Sequence, residues 1–283
     1  MIDRAFPFLA SFSAIMIWAL LPILTKSIVA QVNVSFFLVQ RFFFSTLILS
    51  WLIPKIIKKI KFIDIKKFIF FVVILGSNFY LQTWALSQVP ATWYVVVFAL
   101  NPILTLLLLR HNITSIAWIG IIFAIIGTYL FGIGKTGYLT EIKPISIIAL
   151  LGGMCTWSIY TVLIKNFHAI YSDLEITALS TIIAFLANLN IWGISGFPME
   201  GFIVQQLPQT IMIGLVVPTA YFLYSYGMRK LPIVMINAQY LEPIFSLIFA
   251  SFILHEILNN TQYVASIIII IGTMLASKTS LQR

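Results

Sequence analysis

The chain has 283 residues, of which 61% are hydrophobic and only 9% are charged. Soluble domains are about 45–50% apolar and about 25% charged, so this composition excludes a water-soluble fold, which could not bury so much apolar surface. The net charge of +9 does not indicate nucleic-acid binding, because the basic residues lie mostly between apolar runs, as the topology signals of membrane proteins do.

Ten apolar runs are long enough, at about 20 residues each, to cross a bilayer. In chain order they cover residues 5–25, 35–54, 68–87, 91–110, 114–133, 145–164, 176–196, 209–228, 232–254 and 261–279. The first run is long enough to span and lacks a small-residue cleavage site, so we do not expect a cleavable signal peptide. The predicted fold class is an all-α integral membrane protein with ten transmembrane helices.

A polar, glycine-containing linker runs from Gly134 to Pro144 and divides the chain into two halves of five spans each. We therefore predict one domain over residues 1–136 and a second over residues 137–283. Very short turns connect the third span to the fourth and the eighth to the ninth, and proline opens the following helix in each case, at Pro90 and Pro232. Proline is tolerated there because the first helical N–H has no partner within the helix.

Lysine and arginine predict the orientation, since loops on the cytoplasmic side of a membrane are enriched in both. With both termini in the cytoplasm, thirteen of the seventeen basic residues lie at inner ends of spans: Arg4, Lys55, Lys58, Lys59, Lys61, Lys66, Lys67, Arg110, Lys165, Arg229, Lys230, Lys278 and Arg283. Lys26, Lys135 and Lys143 then lie outside, and Arg41 lies within the second span. Five crossings per half make the halves antiparallel, in the inner or plasma membrane.

Two tryptophan–lysine pairs with identical spacing indicate an internal duplication. Seven residues separate Trp18 from Lys26, and seven separate Trp157 from Lys165, 139 positions later. Other pairs recur at similar offsets: Pro90 with Pro232, Pro102 with Pro243, and Gly127 with Gly272. The segment from Pro102 to Gly127 is four residues shorter than the equivalent segment from Pro243 to Gly272. This difference predicts a fourth span about one turn shorter. Inverted repeats with a site between them are the architecture of many secondary transporters.

The residues that carry a family resemblance are Trp18, Lys26, Arg41 and Pro90 in the first half, and Trp157, Lys165, Pro232, Leu241-Glu242-Pro243, His255-Glu256 and Gly272 in the second. This pattern resembles the two EamA-type repeats of the ten-span branch of the drug/metabolite transporter superfamily, over essentially the whole chain. The resemblance implies a basket-shaped bundle with a central cavity and transport of small metabolites. It often implies amino-acid export, although some relatives import nucleotide-like metabolites. The first half departs from the pattern, since it has no acidic counterpart of Glu256.

Polar and aromatic side chains inside the spans predict where a solute binds, because lipid offers their polar groups no partner. The predicted substrate-binding residues are Trp18, Tyr80, Trp84, Tyr94, Asn101, Trp157, Tyr221, Tyr224, Asn237, Tyr240 and Glu242. The alternative for each of them is ordinary packing between helices. A pocket with aromatic walls and few fixed charges suits an amphipathic or aromatic solute.

Four charged residues are candidates for proton coupling or gating. A carboxylate inside an apolar span faces the bundle interior and is paired or protonated. Glu242 therefore either exchanges protons or binds a substrate ammonium, or it is structural and bonded to a helix or to Arg41. Arg41 either binds an anionic group of the substrate or pairs with a neighbouring helix. Lys26 and Lys165 either anchor the ends of their helices or act as gates.

We expect no catalytic residue, metal or cofactor. The sequence contains no HExxH or GxSxG motif and no phosphate loop. The single cysteine, Cys155, excludes an internal disulfide and a cysteine metal cluster. The histidines His111, His168 and His255 share no metal-ligand spacing.

The expected function is therefore secondary transport of a small organic metabolite, an amino acid or another amphipathic solute, in the export direction and by alternating access. The alternatives are an importer of a nucleotide-like metabolite, a lipid flippase, a non-transporting membrane scaffold and a membrane enzyme. The expected partners are the solute, the lipid bilayer and a coupling proton, without nucleic acid. We expect a monomer or a weak homodimer, and Gly120 and Gly127 predict either close helix packing or a dimer face in the fifth span.

Overall fold

The computed structural model describes residues 2–60, 65–109, 114–134, 142–201 and 204–277, and all regular structure in these ranges is helical. The α-helices of this part are α1 (Ile2–Val29), α2 (Val34–Leu49), α3 (Ile53–Ile60), α4 (Ile65–Gln88), α5 (Ala91–Phe98), α6 (Asn101–Leu108), α7 (Ser115–Ile133), α8 (Pro144–Phe167), α9 (Asp173–Ile194), α10 (Leu207–Lys230), α11 (Pro232–Ala238), α12 (Glu242–Ile253) and α13 (Asn260–Ser277). Short 3₁₀ turns cover Ser50–Leu52, Val204–Gln206 and Gln239–Leu241. Several basic residues of the orientation argument and one histidine lie outside the described residues: Lys61, Arg110, His111, Lys135, Lys278 and Arg283. The same holds for the side chains of Arg4 and Asn237.

The helices confirm the predicted membrane fold. Nine stretches of the described chain are long and apolar enough to cross a bilayer, and a shorter apolar helix, Asn260–Ala276, supplies the tenth crossing. The second span continues through α3 to Ile60 rather than ending at residue 54. α3 is amphipathic, with Ile56 buried while Lys55 and Lys58 are exposed, which suits a helix end at the membrane surface.

The fourth and ninth spans differ from the prediction because neither is continuous. The fourth consists of α5 and α6, separated at Ala99–Leu100, and the ninth consists of α11 and α12, separated at Gln239–Leu241. Pro102 and Pro243 lie just after the breaks and lack the N–H that a continuous helix would need. α6 has 8 residues and α12 has 12, so the fourth span is about one turn shorter, as predicted.

The two halves interlock. α1 packs against α10 and α12, and α8 packs in the corresponding way against α4 and α6. Equivalent spans also pair with each other, α2 with α9 and α7 with α13, while α2 packs against α10 and α9 packs in the corresponding way against α4. The contacts between the halves therefore follow the duplication, and most helices that could line a central cavity meet a helix of the other half.

Contacts at the ends of the helices define two opposite faces of the bundle. We call the face at which α1 ends the first face and the face at which α8 ends the second face. On the first face, the Glu256 carboxylate, which follows α12, accepts a hydrogen bond from the N–H of Ala91 at the start of α5, at 3.1 Å. On the second face, Lys59 in α3 donates to Glu175 in the first turn of α9, at 2.7 Å. These pairings match the alternating up-and-down course of ten spans.

Glycines allow α7 and α13 to pack closely. A Cβ on Gly272 would lie 2.5 Å from the backbone N of Ala124 and 2.7 Å from the carbonyl O of Gly120. Gly127 is equally constrained, since its Cβ would lie 2.7 Å from Ile269 Cγ1. The small-residue face predicted in the fifth span therefore packs against the tenth span of the same chain, where small residues permit close approach of two backbones.

Candidate functional site

A cavity lies between the two halves, beside the breaks of the fourth and ninth spans. Its empty volume is about 830 Å³, including the part at its open mouth. The aromatic residues of its wall are Trp18, Phe79, Tyr94, Phe98, Trp157 and Tyr221. Along α1 the lining residues run from Trp18 to Thr25, so the cavity lies in the half of the bundle nearer the first face.

The duplicated tryptophans meet at the floor of this cavity. The ring centroids of Trp18 and Trp157 lie 4.7 Å apart with their planes at 81°, an edge-to-face contact. Tyr221 packs edge-on at 5.8 Å from Trp18 and 6.0 Å from Trp157. The indole N–H of Trp157 donates to Gln239 Oε1 in the break of the ninth span, at 3.4 Å. The floor thus joins equivalent positions of the two halves to one of the helix breaks.

A second aromatic wall is supplied by α5 and α4. The rings of Tyr94 and Phe98 are stacked, with centroids 4.6 Å apart, because residues four apart share one face of a helix. The Tyr94 hydroxyl donates to Gln82 Oε1 on α4, at 3.0 Å. Phe79 packs edge-on against Tyr221 at 5.8 Å. The wall therefore combines aromatic rings and aliphatic side chains with a few polar groups.

Asn101 and Glu242 occupy equivalent positions, each just before the proline of a broken span, but their surroundings differ. Ser158 Oγ donates to Asn101 Oδ1, which fixes the amide against α8. The residue equivalent to Ser158 in the first half is Ala19, which has no hydroxyl, and Ser246 instead donates to the Ala19 carbonyl, at 2.9 Å. Glu242 lines the cavity and has no hydrogen bond or ion pair with another described residue. Its carboxylate is therefore open to a solute or a proton.

Arg41 brings a positive charge to the same cavity from α2. The residue is 8% exposed, its Cζ lies 5.1 Å from the centroid of the Phe42 ring, and its buried Nε has no hydrogen-bond partner among the described residues. Its position is fixed by a tight helix crossing, since a Cβ on Gly214 of α10 would lie 2.6 Å from the Arg41 carbonyl. Of the described residues, neither Arg41 nor Glu242 is within 4.0 Å of an opposite charge, so the two do not neutralise each other.

Several residues predicted to bind substrate lie outside the cavity wall. Tyr80 and Trp84 are half-buried and pack against the hydrophobic core. α4 turns Phe79, Gln82 and Thr83 to the cavity instead, a rotation of one residue, or about 100°, from the predicted face. Gln82 was a signal for this face, as an amide inside a span.

Tyr224 and Tyr240 are buried behind the wall rather than in it. The Tyr224 ring lies 4.7 Å from Trp18, and its hydroxyl is hydrogen-bonded to Thr161 Oγ1 at 2.7 Å. Tyr240 is 5% exposed. Further cavity residues that the sequence did not single out are Thr25, Phe79, Gln82 and Phe98.

The two equivalent lysines also lie outside the cavity and differ from each other. Lys26 Nζ donates to three backbone carbonyls at the end of α4 and in the following turn, at 2.8–3.2 Å. Beside it, Glu256 accepts the N–H groups of Ala91 and Thr92 at the start of α5, at 3.1 and 2.9 Å. A cation at the end of one helix and an anion at the start of the next both match the helix dipoles. Lys165 is exposed.

Among the described residues, no group of three or more His, Cys, Asp and Glu side chains is placed to hold a metal ion. The polar groups of the cavity are instead suited to direct hydrogen bonding with an organic solute. Two such groups besides Arg41, Thr25 Oγ1 and Gln239 Nε2, are buried without a partner in the described part.

Comparison with known proteins gives a consistent family and fold. A sequence profile described as the EamA-like transporter family matches residues 6–133 and 144–278. A solved structure titled "Crystal structure of protein" is similar over 96% of this chain and 96% of that chain, with a TM-score of 0.69 and 16% sequence identity. At this identity the similarity supports the fold alone. No curated protein matches the chain.

Proposed function

The chain belongs to the EamA-like transporter family, whose members are membrane transporters of small solutes, and from this premise we propose that it is a secondary transporter that exports a small organic metabolite. The solute is an amino acid or another amphipathic molecule. The observation that carries the proposal is the cavity at the paired helix breaks, with Arg41 and Glu242 on its wall. Discontinuous spans at the interface of two repeats are where secondary transporters bind their substrates.

The wall chemistry supports a solute with both a polar and an apolar end. Arg41 is suited to a carboxylate, because its planar guanidinium matches that geometry. Glu242 is suited to an ammonium group or to a coupling proton. The rings of Trp18, Trp157 and Tyr221 offer an apolar surface for the remainder of the solute.

Transport would proceed by alternating access and would draw on a gradient. The sequence contains no phosphate-binding loop for ATP. Because the contacts between the halves follow the duplication, rocking of one half against the other would expose the same cavity to each face in turn. A proton that moves on and off Glu242 would couple the solute to the proton gradient.

We further propose that both termini are cytoplasmic, in the inner or plasma membrane. In this orientation the first face is external and the second face is cytoplasmic. The basic residues of the described helix ends support it, since Lys59, Lys165 and Arg229 lie at the second face, while Lys26 lies at the first.

Purified protein in proteoliposomes provides the direct test. We expect transport of at least one member of a panel of amino acids, nucleotide-like metabolites and cationic drugs, and faster transport when a proton gradient is imposed. Preferential transport of the nucleotide-like compounds would contradict the proposed substrate class. Scrambling of labelled lipid without any solute transport would favour a lipid flippase over a solute transporter.

The substitution Glu242→Gln tests the coupling role. Loss of a charged hydrogen-bonding partner is worth about 1.5–3 kcal/mol, so we expect proton-driven transport to fall by at least about tenfold and its pH dependence to flatten. Glu200→Gln is the matched control, since Glu200 is exposed in the loop that precedes α10. Full transport by Glu242→Gln with an unchanged pH profile would contradict the proposal.

A further inference from the structure

A polar cluster with a buried carboxylate lies on the second face, away from the cavity. Asp173, at the start of α9, is 3% exposed and forms an ion pair with Arg229 in the last turn of α10. Ser225 Oγ donates to Asp173 Oδ1 at 3.2 Å, and His168 Nε2 is hydrogen-bonded to Ser225 Oγ at 2.9 Å. These four residues, which we call the latch, join the end of α8, the start of α9 and the end of α10.

A second set of hydrogen bonds holds the turn between α8 and α9 from its other side. Lys59 Nζ donates to both carboxylate oxygens of Glu175, at 2.9 and 2.7 Å. The Glu175 carboxylate also accepts the N–H of Ser172 at 2.8 Å in a capping box, and the Tyr171 hydroxyl donates to the carbonyl of Ile56 at 3.3 Å. The α8–α9 turn is thus tied to α3 as well as to α10, and the bundle is closed at this face.

Between the latch and the cavity lies a layer of packed rings. Tyr224 is fully buried and packs against Trp18 at 4.7 Å and Trp157 at 5.5 Å, the two tryptophans of the cavity floor. Its hydroxyl is held by Thr161 on α8. Tyr224 immediately precedes Ser225, so the same stretch of α10 carries the ring layer and the latch. Separation of α10 from α8 and α9 would therefore release both.

We propose that the latch is the gate of the second face, and that the Asp173–Arg229 pair must separate before the cavity can open there. This inference rests on the proposed transport function and assigns its regulation to named residues outside the binding cavity. The pair suits such a role because Asp173 is 3% exposed while the Arg229 side chain is 39% exposed, so that removal of the arginine leaves an uncompensated buried carboxylate, which favours a solvated, open arrangement.

The test measures access from the second face and needs no knowledge of the substrate. In a Cys155→Ser background, Thr161→Cys places one thiol between the cavity floor and the latch, at a position that is 0% exposed. A membrane-impermeant maleimide is applied separately to each side of oriented vesicles. We expect slow labelling from the second face, and labelling at least about tenfold faster when Arg229→Gln breaks the pair and leaves the buried Asp173 carboxylate without its partner.

The double substitution Asp173→Asn with Arg229→Gln guards against misfolding, since it leaves neither charge buried alone. It should also accelerate labelling from the second face only, whereas Glu200→Gln should not. Unchanged labelling in the double variant, or equal acceleration from both faces, would overturn the gate. If the labelling result holds while the proteoliposomes move no solute, the gate stands and the proposed transport function fails.

Discussion

The residues just before Pro102 and Pro243 indicate how the two halves differ at the cavity. Asn101 is fixed by Ser158, whereas Glu242 has no bonded partner in the described part of the chain. The difference arises on the neighbouring helices, because Ser158 of α8 has a hydroxyl group that the equivalent Ala19 of α1 lacks. We infer that the Asn101 side of the cavity is rigid, while the Glu242 side is free to exchange protons or bind a cation.

Lys26 and Lys165 are equivalent in sequence, which makes them a matched pair for mutation. Lys26→Met removes three hydrogen bonds to carbonyls of the α4–α5 turn. Hydrogen bonds to a charged group are worth about 1.5–3 kcal/mol each before the cost of dehydration, so we expect a net destabilisation of about 1–3 kcal/mol. Lys165→Met, at an exposed position, should leave stability unchanged. Thermal unfolding in detergent compares the two, and an equal loss in both would contradict this anchoring role for Lys26.

His168 gives the latch a predicted dependence on pH. Burial lowers the pKa of His168 from its ordinary value of 6.5; Asp173 on α9 opposes this shift, and Arg229 on α10 adds to it. The neutral ring therefore favours the closed latch, whose stability is complete above the ordinary pKa and is lost as pH falls through the lowered one. We expect maleimide labelling of Thr161→Cys from the second face to become faster, relative to the same protein carrying His168→Gln, as the pH falls below the ordinary histidine pKa of about 6.5.

His168→Gln serves as the control for this measurement, because the glutamine amide cannot titrate. Its labelling should follow only the intrinsic pH dependence of the thiol. An identical pH profile in the two proteins would show that His168 does not control the latch.

At the scale of elements, the breaks in the fourth and ninth spans determine where the cavity forms. Proline in a helix interior costs about 3 kcal/mol relative to alanine, so Pro243→Ala favours a continuous ninth span. We expect the variant to transport more slowly, because a continuous helix would displace Gln239 and Glu242 from the wall. Pro232→Ala is the control, since Pro232 opens α11, where proline is well tolerated. Full transport by Pro243→Ala would show that the break in the ninth span is not required for transport.

At the scale of the whole molecule, the orientation is open to a direct measurement. Fusion of a reporter that is active only outside the cytoplasm should give no activity at either terminus and full activity after Lys143, in the connection between α7 and α8. The physical reason is the excess of lysine and arginine on the second face. Activity at either terminus would reverse the assignment of the two faces.

The elements that the sequence predicted well depend on short-range patterns. Each span is a run of about 20 apolar residues, and the shorter fourth span followed from counting residues between a proline and a glycine. The face that α4 turns to the cavity was predicted one residue away from Phe79 and Gln82, since polar residues lie on all sides of this helix and give little directional signal. The latch also escaped prediction, because His168, Asp173 and Arg229 come from three helices and no sequence motif joins them.

The sequence by itself determined the membrane class, the number of spans, the duplication and the family resemblance, because a bilayer imposes length, polarity and charge on each segment independently of its neighbours. Only the tertiary structure decided which side chains share the cavity, that Lys26 binds three backbone carbonyls while Lys165 is exposed, and that Asp173 meets Arg229. These outcomes depend on the rotation and crossing of packed helices, which are set by contacts between distant parts of the chain. In this protein the residues that the two repeats share predicted the architecture. The cavity and the latch depend instead on contacts that differ between the repeats.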